Sequence, residues 1–451
     1  MDNLEITKEL ISEFILGKQV KKLREVFDEF NIVDLAEYVN ELEISEILFL
    51  FKILKKDITA PLFSYLNIDN QQKMIEAFTS NEIQSMLDNL YSDDVLEIMG
   101  DLPANLVKKI LKAANKEQRD EINMLLSFAP NTAGSLMSTD FVELEADDTV
   151  AAAIKKIKKQ GKIAETISFC YVVNSKRKLV GTIALRDILF APVNGLIGDL
   201  MDSDVVCVQV SDDQEDVANV MKKYDLLVAP VVNDQYCLIG IVTVDDIIDV
   251  MQDEVTEDIQ KMAAIVPVSE TYLETTAWTL AKSRLPWLMG LMITATLTGT
   301  ILGEFETALA AIPTLSAFVP MVIGTAGNAG SQASVMVIRG ITVDGLEFKD
   351  IARVLWKELR VGVVCGLLLF VVVVLRIMLL PPVVLMDVAL VIALSTTFSL
   401  VIAKIIGGSL PLIALACKQD PAAMAAPFIT TCVDTVSLLI YFFLSVTLLG
   451  I

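Results

Sequence analysis

The chain has 451 residues, 54% of them apolar, with 58 acidic against 36 basic side chains and no histidine. A formal charge of −22 and a mean hydropathy of +0.57 suit neither a wholly soluble nor a wholly membrane protein; residues 285–451 hold only nine of the acids and eight of the bases, so an acidic soluble part is fused to an apolar one. That split excludes nucleic-acid binding, which needs a basic face, and the missing imidazole excludes His-based general bases, His-metal sites and the usual pH switch.

Residues 1–129 read as an all-α superhelical domain. Apolar residues recur at three- and four-residue spacing, as in Leu35, Val39 and Leu42, then Ile47 and Leu48, with Pro61 and Pro103 as punctuation. The opening Met-Asp-Asn-Leu-Glu lacks the charged-then-apolar pattern of an export signal, so this half is expected to stay cytosolic. The six cysteines (Cys170, Cys207, Cys237, Cys365, Cys417, Cys432) show no CxxC spacing and read as buried thiols of a reducing compartment or of lipid-facing helices.

Residues 130–194 and 195–248 form an internal repeat. Leu179-Val-Gly-Thr-Ile-Ala-Leu-Arg-Asp-Ile-Leu189 aligns with Leu238-Ile-Gly-Ile-Val-Thr-Val-Asp-Asp-Ile-Ile248, and Gly134-Ser-Leu-Met137 with Gly198-Asp-Leu-Met201. Each unit is expected to run strand, helix, strand, strand, helix. This resembles a pair of cystathionine-beta-synthase (CBS) modules of α+β fold, which often bind adenosine nucleotides. The resemblance implies a Gly-x-x-(Ser/Thr)-x-x-Asp contact to ribose and phosphate. The second repeat matches it at Gly240, Thr243 and Asp246; the first has Ala184 where the hydroxyl belongs.

Residues 249–276 are expected to form a linking helix. Between 201 and 258 there are 15 Asp or Glu and only Lys222 and Lys223 as bases. Asp249, Asp253 and Glu257 are four apart and make one acidic stripe, unfavourable by about 0.2–0.5 kcal/mol per pair unless a cation lies against it.

Residues 277–451 read as five membrane spans. The apolar stretches are Leu285–Gly303, Ala308–Ile338, Val361 to about Leu380, about Val383 to Cys417, and Pro421–Ile451. The second contains Gly324-Thr-Ala-Gly-Asn-Ala-Gly-Ser-Gln332, which admits either close helix approach or an unwound turn. Lys282 and Arg284 precede the first span, and Arg339, Lys349, Arg353, Lys357 and Arg360 lie between the second and third. The basic side faces the cytosol, so the N-terminal half is cytosolic and the C-terminus outside. Arg376, near the outer side, departs mildly from that rule and is expected to snorkel.

Asp434 falls inside the fifth span, 14 positions after Asp420, or roughly 21 Å of helix. A carboxylate there costs several kcal/mol unless it meets water, a cation or a partner. Thr430, Thr431 and Thr435 offer oxygens nearby, and Asn328 and Gln332 present amides on one face of the second span. An all-oxygen, histidine-free donor set selects hard cations such as Mg²⁺ or Ca²⁺. One carboxylate per chain suits a hydrated Mg²⁺ shared by a symmetric dimer.

The domain order, together with Lys282-Ser-Arg-Leu-Pro-Trp287, Gly327-Asn-Ala-Gly-Ser-Gln332, and Asp420-Pro421 through Val433-Asp434, resembles the MgtE family of magnesium channels over nearly the whole chain. The resemblance implies a homodimeric Mg²⁺ channel for uptake across the plasma or inner membrane, with Mg²⁺ as ligand and ATP as a further ligand of the CBS pair. Asp434 would be its intramembrane metal residue, with the Asn328 region near the ion path. The linking helix would be a plug, closed when Mg²⁺ bridges acidic positions corresponding to Asp93, Glu97, Asp216, Asp249, Asp253, Glu257 and Asp420. The alternatives are a Na⁺- or H⁺-coupled transporter and a membrane-anchored nucleotide or metal sensor without transport. An enzyme is not expected, since no Walker loop, nucleophile elbow or His/Cys dyad occurs.

Overall fold

The computed structural model describes residues 8–268, 272, 273, 275–381, 384–424 and 426–450. It divides into two compact units, Met1–Met251 and Gln252–Ile451.

The first unit begins with ten helices between Lys8 and Leu125, each eight to ten residues long. They are short because capping residues recur at that interval: Asn31, Asn67 and Thr79 each accept a backbone N–H of the following helix, and Thr79 and Asn115 form capping boxes with Glu82 and Gln118. Helices pack on the next but one, which winds the array. Leu35, Val39, Leu42 and Ile47 are buried in its core, with Leu48 packed against it. Pro103 is a helix N-cap as expected of punctuation, but Pro61 lies inside the helix Lys56–Ser64.

The repeat folds as two three-stranded sheets. In the first, β1 (Glu143–Glu145) runs parallel to β2 (Phe169–Val173), which pairs antiparallel with β3 (Leu179–Ala184); β4 (Val208–Gln209), β5 (Val228–Val232) and β6 (Leu238–Thr243) repeat that order. Helices Val150–Gln160 and Gln214–Tyr224 follow the first strands, so each module has the expected element order. The aligned Gly-x-x-Met segments have a physical role. A Cβ at Gly240 would lie 2.6 Å from Met137 Sδ, and one at Gly181 would lie 2.4 Å from Met201 Sδ. Each module's leading methionine thus packs on the other module's last strand, locked by the bridges Ser138–Ile241 and Thr182–Asp202.

The linking helix differs from expectation. It begins at Val244, as the closing helix of the second module, and ends at Met262; residues 263–268 are not helical. Asp245 and Asp246 therefore join the acids it carries.

The second unit holds five long helices, Ala277–Glu304, Val319–Asp344, Ile351–Leu379, Met386–Ala416 and Ala426–Leu449. Among the described residues four stretches are long and apolar enough to cross a membrane. Val319–Asp344 is not one of them, since its Gly-, Asn- and Gln-containing stretch lowers its hydropathy. That helix runs unbroken through Gly324–Gln332, so the unwound turn is replaced by close approach. A Cβ at Gly407 would lie 2.1 Å from Gly330 O, so these two helices cross backbone to backbone. Met386–Ala416 is the central helix, packed on Val319–Asp344, Ile351–Leu379 and Ala426–Leu449. The Arg376 guanidinium lies 5.2 Å from the centre of the Phe318 ring, with Nη1 buried and without a hydrogen-bond partner among the described residues. Val383 and Ile451, expected span termini, lie outside the described residues.

Candidate metal sites

In the first unit a cavity of about 650 Å³ is lined by Asp93, Asp94, Glu97, Glu165, Asp245, Asp246 and Asp249, and among the described residues by no lysine or arginine. Asp140 organises it. Its carboxylate accepts the Ser92 N–H at 3.1 Å, fixing the start of the helix Ser92–Asp101, and its carbonyl accepts the Glu165 N–H at 2.8 Å. The Thr139 N–H donates to Ser92 Oγ at 2.8 Å and tightens the same joint. Asp246 arrives on the first turn of the linking helix, where the Thr243 hydroxyl donates to it at 2.6 Å.

One oxygen from each of Asp93, Glu165 and Asp246 can lie within 4.8 Å of the others. Asp93 Oδ1 and Glu165 Oε2 are buried without a hydrogen-bond partner among the described residues. Burial, reinforced by the Glu165 and Asp246 carboxylates, pushes Asp93 up to about 8. Burial and Asp246 push Asp94 up to about 6. Burial pushes Glu165 up to about 7, partly opposed by the Ser138 and Thr243 hydroxyls. Three converging carboxylates, two with orphaned oxygens, fit a hard dication that would replace the shared protons.

Of the acids named from sequence, Asp93, Glu97 and Asp249 line this cavity, and Asp246 joins them from the expected nucleotide set. Glu165 and Asp245 were not singled out as metal residues; Glu165 sits in a loop whose only sequence signal is its charge. Asp216 is not among the lining residues and is exposed on the first turn of Gln214–Tyr224. Gly240 is a glycine because Met137 fills the space beside it, and Thr243 uses its proton on Asp246. These two residues serve module packing and the acidic cavity within this chain.

In the second unit the Asp434 carboxylate accepts no hydrogen bond and meets no cation within 4 Å among the described residues. Residues 421–424 form a 3-10 turn, and the helix starts at Ala426, so Asp434 lies roughly 12 Å along it, not 21 Å. A Cβ on Gly327 would lie 3.4 Å from Asp434 Oδ1, so the glycine-rich helix faces the acid closely. The hydroxyls of Thr430 and Thr431 donate to Pro427 O and that of Thr435 to Thr431 O, leaving their lone pairs free to ligate.

Asn328 and Gln332 do share a face, but the cavity of about 1170 Å³ that they line does not include Asp434. It includes Lys404 and Glu358, which sequence reading did not single out. The Lys404 side chain is 8% exposed; its ammonium lies 3.9 Å from Glu358 Oε2 and 3.5 Å from Ala329 O.

Asp420 and Glu257 are both ion-paired to Lys261. Asp253 lies on the same helix as Glu257.

Three family models match: a divalent cation transporter model over residues 319–444, an MgtE intracellular N domain over 30–131, and CBS domains over 133–194 and 197–253. The Magnesium transporter MgtE of Bacillus subtilis is 32% identical over 91% of this chain and 93% of its own length. That of Thermus thermophilus is 31% identical over 96% of both chains. The chain belongs to the MgtE family. Two solved structures agree for the soluble part: that of a magnesium transporter (34% identity, TM-score 0.52, 55% of this chain and 97% of that one) and an MgtE cytosolic domain in complex with ATP (29%, TM-score 0.51, 54% and 100%). Magnesium transport, CBS modules and membrane-crossing helices accord with the MgtE assignment. Membership in a family of transporters likewise accords with the expectation that the chain is not an enzyme.

Proposed function

We propose that this MgtE-family chain is a homodimeric, Mg²⁺-selective uptake channel of the plasma or inner membrane, closed by cytosolic Mg²⁺. The observation that carries this is Asp434, a carboxylate without a partner among the described residues, placed along a membrane helix and facing a glycine-rich helix that leaves room beside it. Two copies would present two such acids to one hydrated ion, with Thr430, Thr431 and Thr435 as further oxygens. Asn328 and Gln332 would line the approach. An inside-negative potential drives a dication inward by about 2 × 2.3 kcal/mol per 100 mV. All five long helices would span, with the soluble half cytosolic and the C-terminus outside.

The acidic cavity is the sensor in this reading. Asp93, Glu97, Glu165, Asp246 and Asp249 would hold regulatory Mg²⁺, which supplies the positive charge their mutual repulsion lacks. Asp216, Asp253, Glu257 and Asp420 would add sites toward the linking helix, which acts as the plug. Closure is steep only if several sites favour the closed state, each by its differential affinity.

The test is Mg²⁺ flux into vesicles reconstituted with the full chain. Asp434→Ala should abolish flux while the protein still folds and inserts; selective flux retained by that variant would end the assignment. Reversal potentials that track Na⁺ or H⁺ would indicate coupled transport instead, and no flux from the unmodified chain would leave a sensor. ATP at the CBS pair, through the face of Gly240, Thr243 and Asp246, is a second reading, supported by the ATP complex of the related cytosolic domain. ATP should then raise the melting temperature of the full chain; an unchanged melt would remove it.

A further inference from the structure

We propose that Lys261 is a built-in cation that pins the end of the linking helix to the segment leading into the Asp434 helix, so that this joint is held by the chain's own charge where a bridging metal is otherwise invoked. The inference rests on the gating role given to the linking helix above.

Lys261 is the first basic residue after Lys223 and lies in the last turn of Val244–Met262. Its ammonium is 2.7 Å from Asp420 Oδ2 and is also paired with Glu257, one turn earlier. All three side chains are about one-third exposed or less, so water screens them incompletely. The other Asp420 oxygen, Oδ1, accepts the Ala422 N–H at 2.8 Å and so fixes the 3-10 turn Pro421–Met424. One carboxylate therefore joins the lysine to the turn from which the Asp434 helix departs.

The neighbouring residue secures the other side. Gln260 Oε1 accepts the Val268 N–H at 2.8 Å, and Gln260 Nε2 donates to Val268 O at 3.2 Å. The Val266 N–H donates to Ser283 O at 2.9 Å, on the first long helix of this unit. The end of the linking helix is thus tied at both edges.

The charge count says how strong the tie is. Glu257, Asp258 and Asp420 bring three negative charges to one ammonium; Asp258 is half-buried and feels Asp420. One positive charge between two carboxylates occupies the position a dication would take, yet it leaves the group net negative. Such a joint stands without metal, is releasable, and can be strengthened by added cation. Lys261 is a positioning residue: it sets how much closure exists before any Mg²⁺ arrives.

The experiment is hydrogen–deuterium exchange across Gln260–Val268 in the full chain in nanodiscs, with chelator and with millimolar Mg²⁺. In chelator, Lys261→Gln should speed exchange of the Val266 and Val268 amides about fivefold, the size expected of a partly shielded ion pair. Mg²⁺ should restore it, and Lys261→Arg should behave like the unmodified chain. Asp420→Asn should give the same acceleration, and combining it with Lys261→Gln should add nothing further. Exchange in Lys261→Gln equal to the unmodified chain, additive effects of the two substitutions, or failure of the arginine variant to hold would each overturn the proposal. If Mg²⁺ changes exchange in no variant while Lys261→Gln still accelerates it, the lysine tie stands and the Mg²⁺-sensing reading fails.

Discussion

Asp93, Glu165 and Asp246 are three acids that share too few positive neighbours. Their raised affinities for protons have a definite sign in stability. In the unfolded chain these carboxyls lose their protons near pH 4; in the folded unit Glu165 and Asp93 hold theirs to about 7 and about 8. The unfolded state therefore releases protons first, and metal-free stability falls as pH rises from about 4 to about 8. A dication that displaces those protons reverses the loss. The melting shift given by Mg²⁺ should be small at the acidic end of this window and grow to a plateau above pH 8. Asp93→Asn should flatten that growth. A Mg²⁺ shift independent of pH, read by differential scanning fluorimetry across the window, would contradict the assignment. The value of Asp93 was legible from the chain because its family motif marked it; Glu165 was not, because it reaches the cavity through a backbone bond to Asp140 that no local pattern encodes.

Among elements, the helix Val319–Asp344 shows best what sequence can and cannot tell. Its glycines and amides announced a special role, but two backbone outcomes had been open. The unbroken helix follows from its neighbours. Gly330 against Gly407 leaves no room for a side chain, and Gly327 brings the helix backbone close to Asp434, so the helix gains close packing without giving up its ladder of hydrogen bonds. A neighbouring pair was missed: Lys404 hides within an apolar run and Glu358 within a cytosolic-looking basic stretch. Together they join Ile351–Leu379, Met386–Ala416 and the Ala329 carbonyl. Burying such a pair gives little net stability, but removing one partner strands the other. Lys404→Met alone should destabilise the detergent-solubilised chain by about 3–5 kcal/mol, as should Glu358→Leu. The double substitution should recover most of the loss. A double-variant loss equal to the sum of the two single losses, measured by thermal or denaturant unfolding, would show that the two do not act as a pair.

For the molecule as a whole, the partition was readable from charge and hydropathy alone, because water and lipid select opposite surfaces. The element order of the modules followed from their internal repeat. What the repeat could not tell was why its glycines and methionines recur in register: the reason is a contact between distant segments, Met137 with Gly240 and Met201 with Gly181. It also misjudged where the linking helix begins, since Val244–Met262 serves the second module before it serves as a connector. If ATP occupies the modules, its effect on melting should appear in both at once, as a single displaced transition. Two transitions, only one of them moved, would mean that the halves melt separately.

That reciprocal methionine exchange has an evolutionary corollary. A gene duplication usually frees one copy to drift, yet here each copy supplies the plug for its sibling's gap. A side chain at Gly181 would collide with Met201, whereas Ala184, three residues away, lies outside that contact. The two modules can therefore differ in what they bind without loosening their handshake.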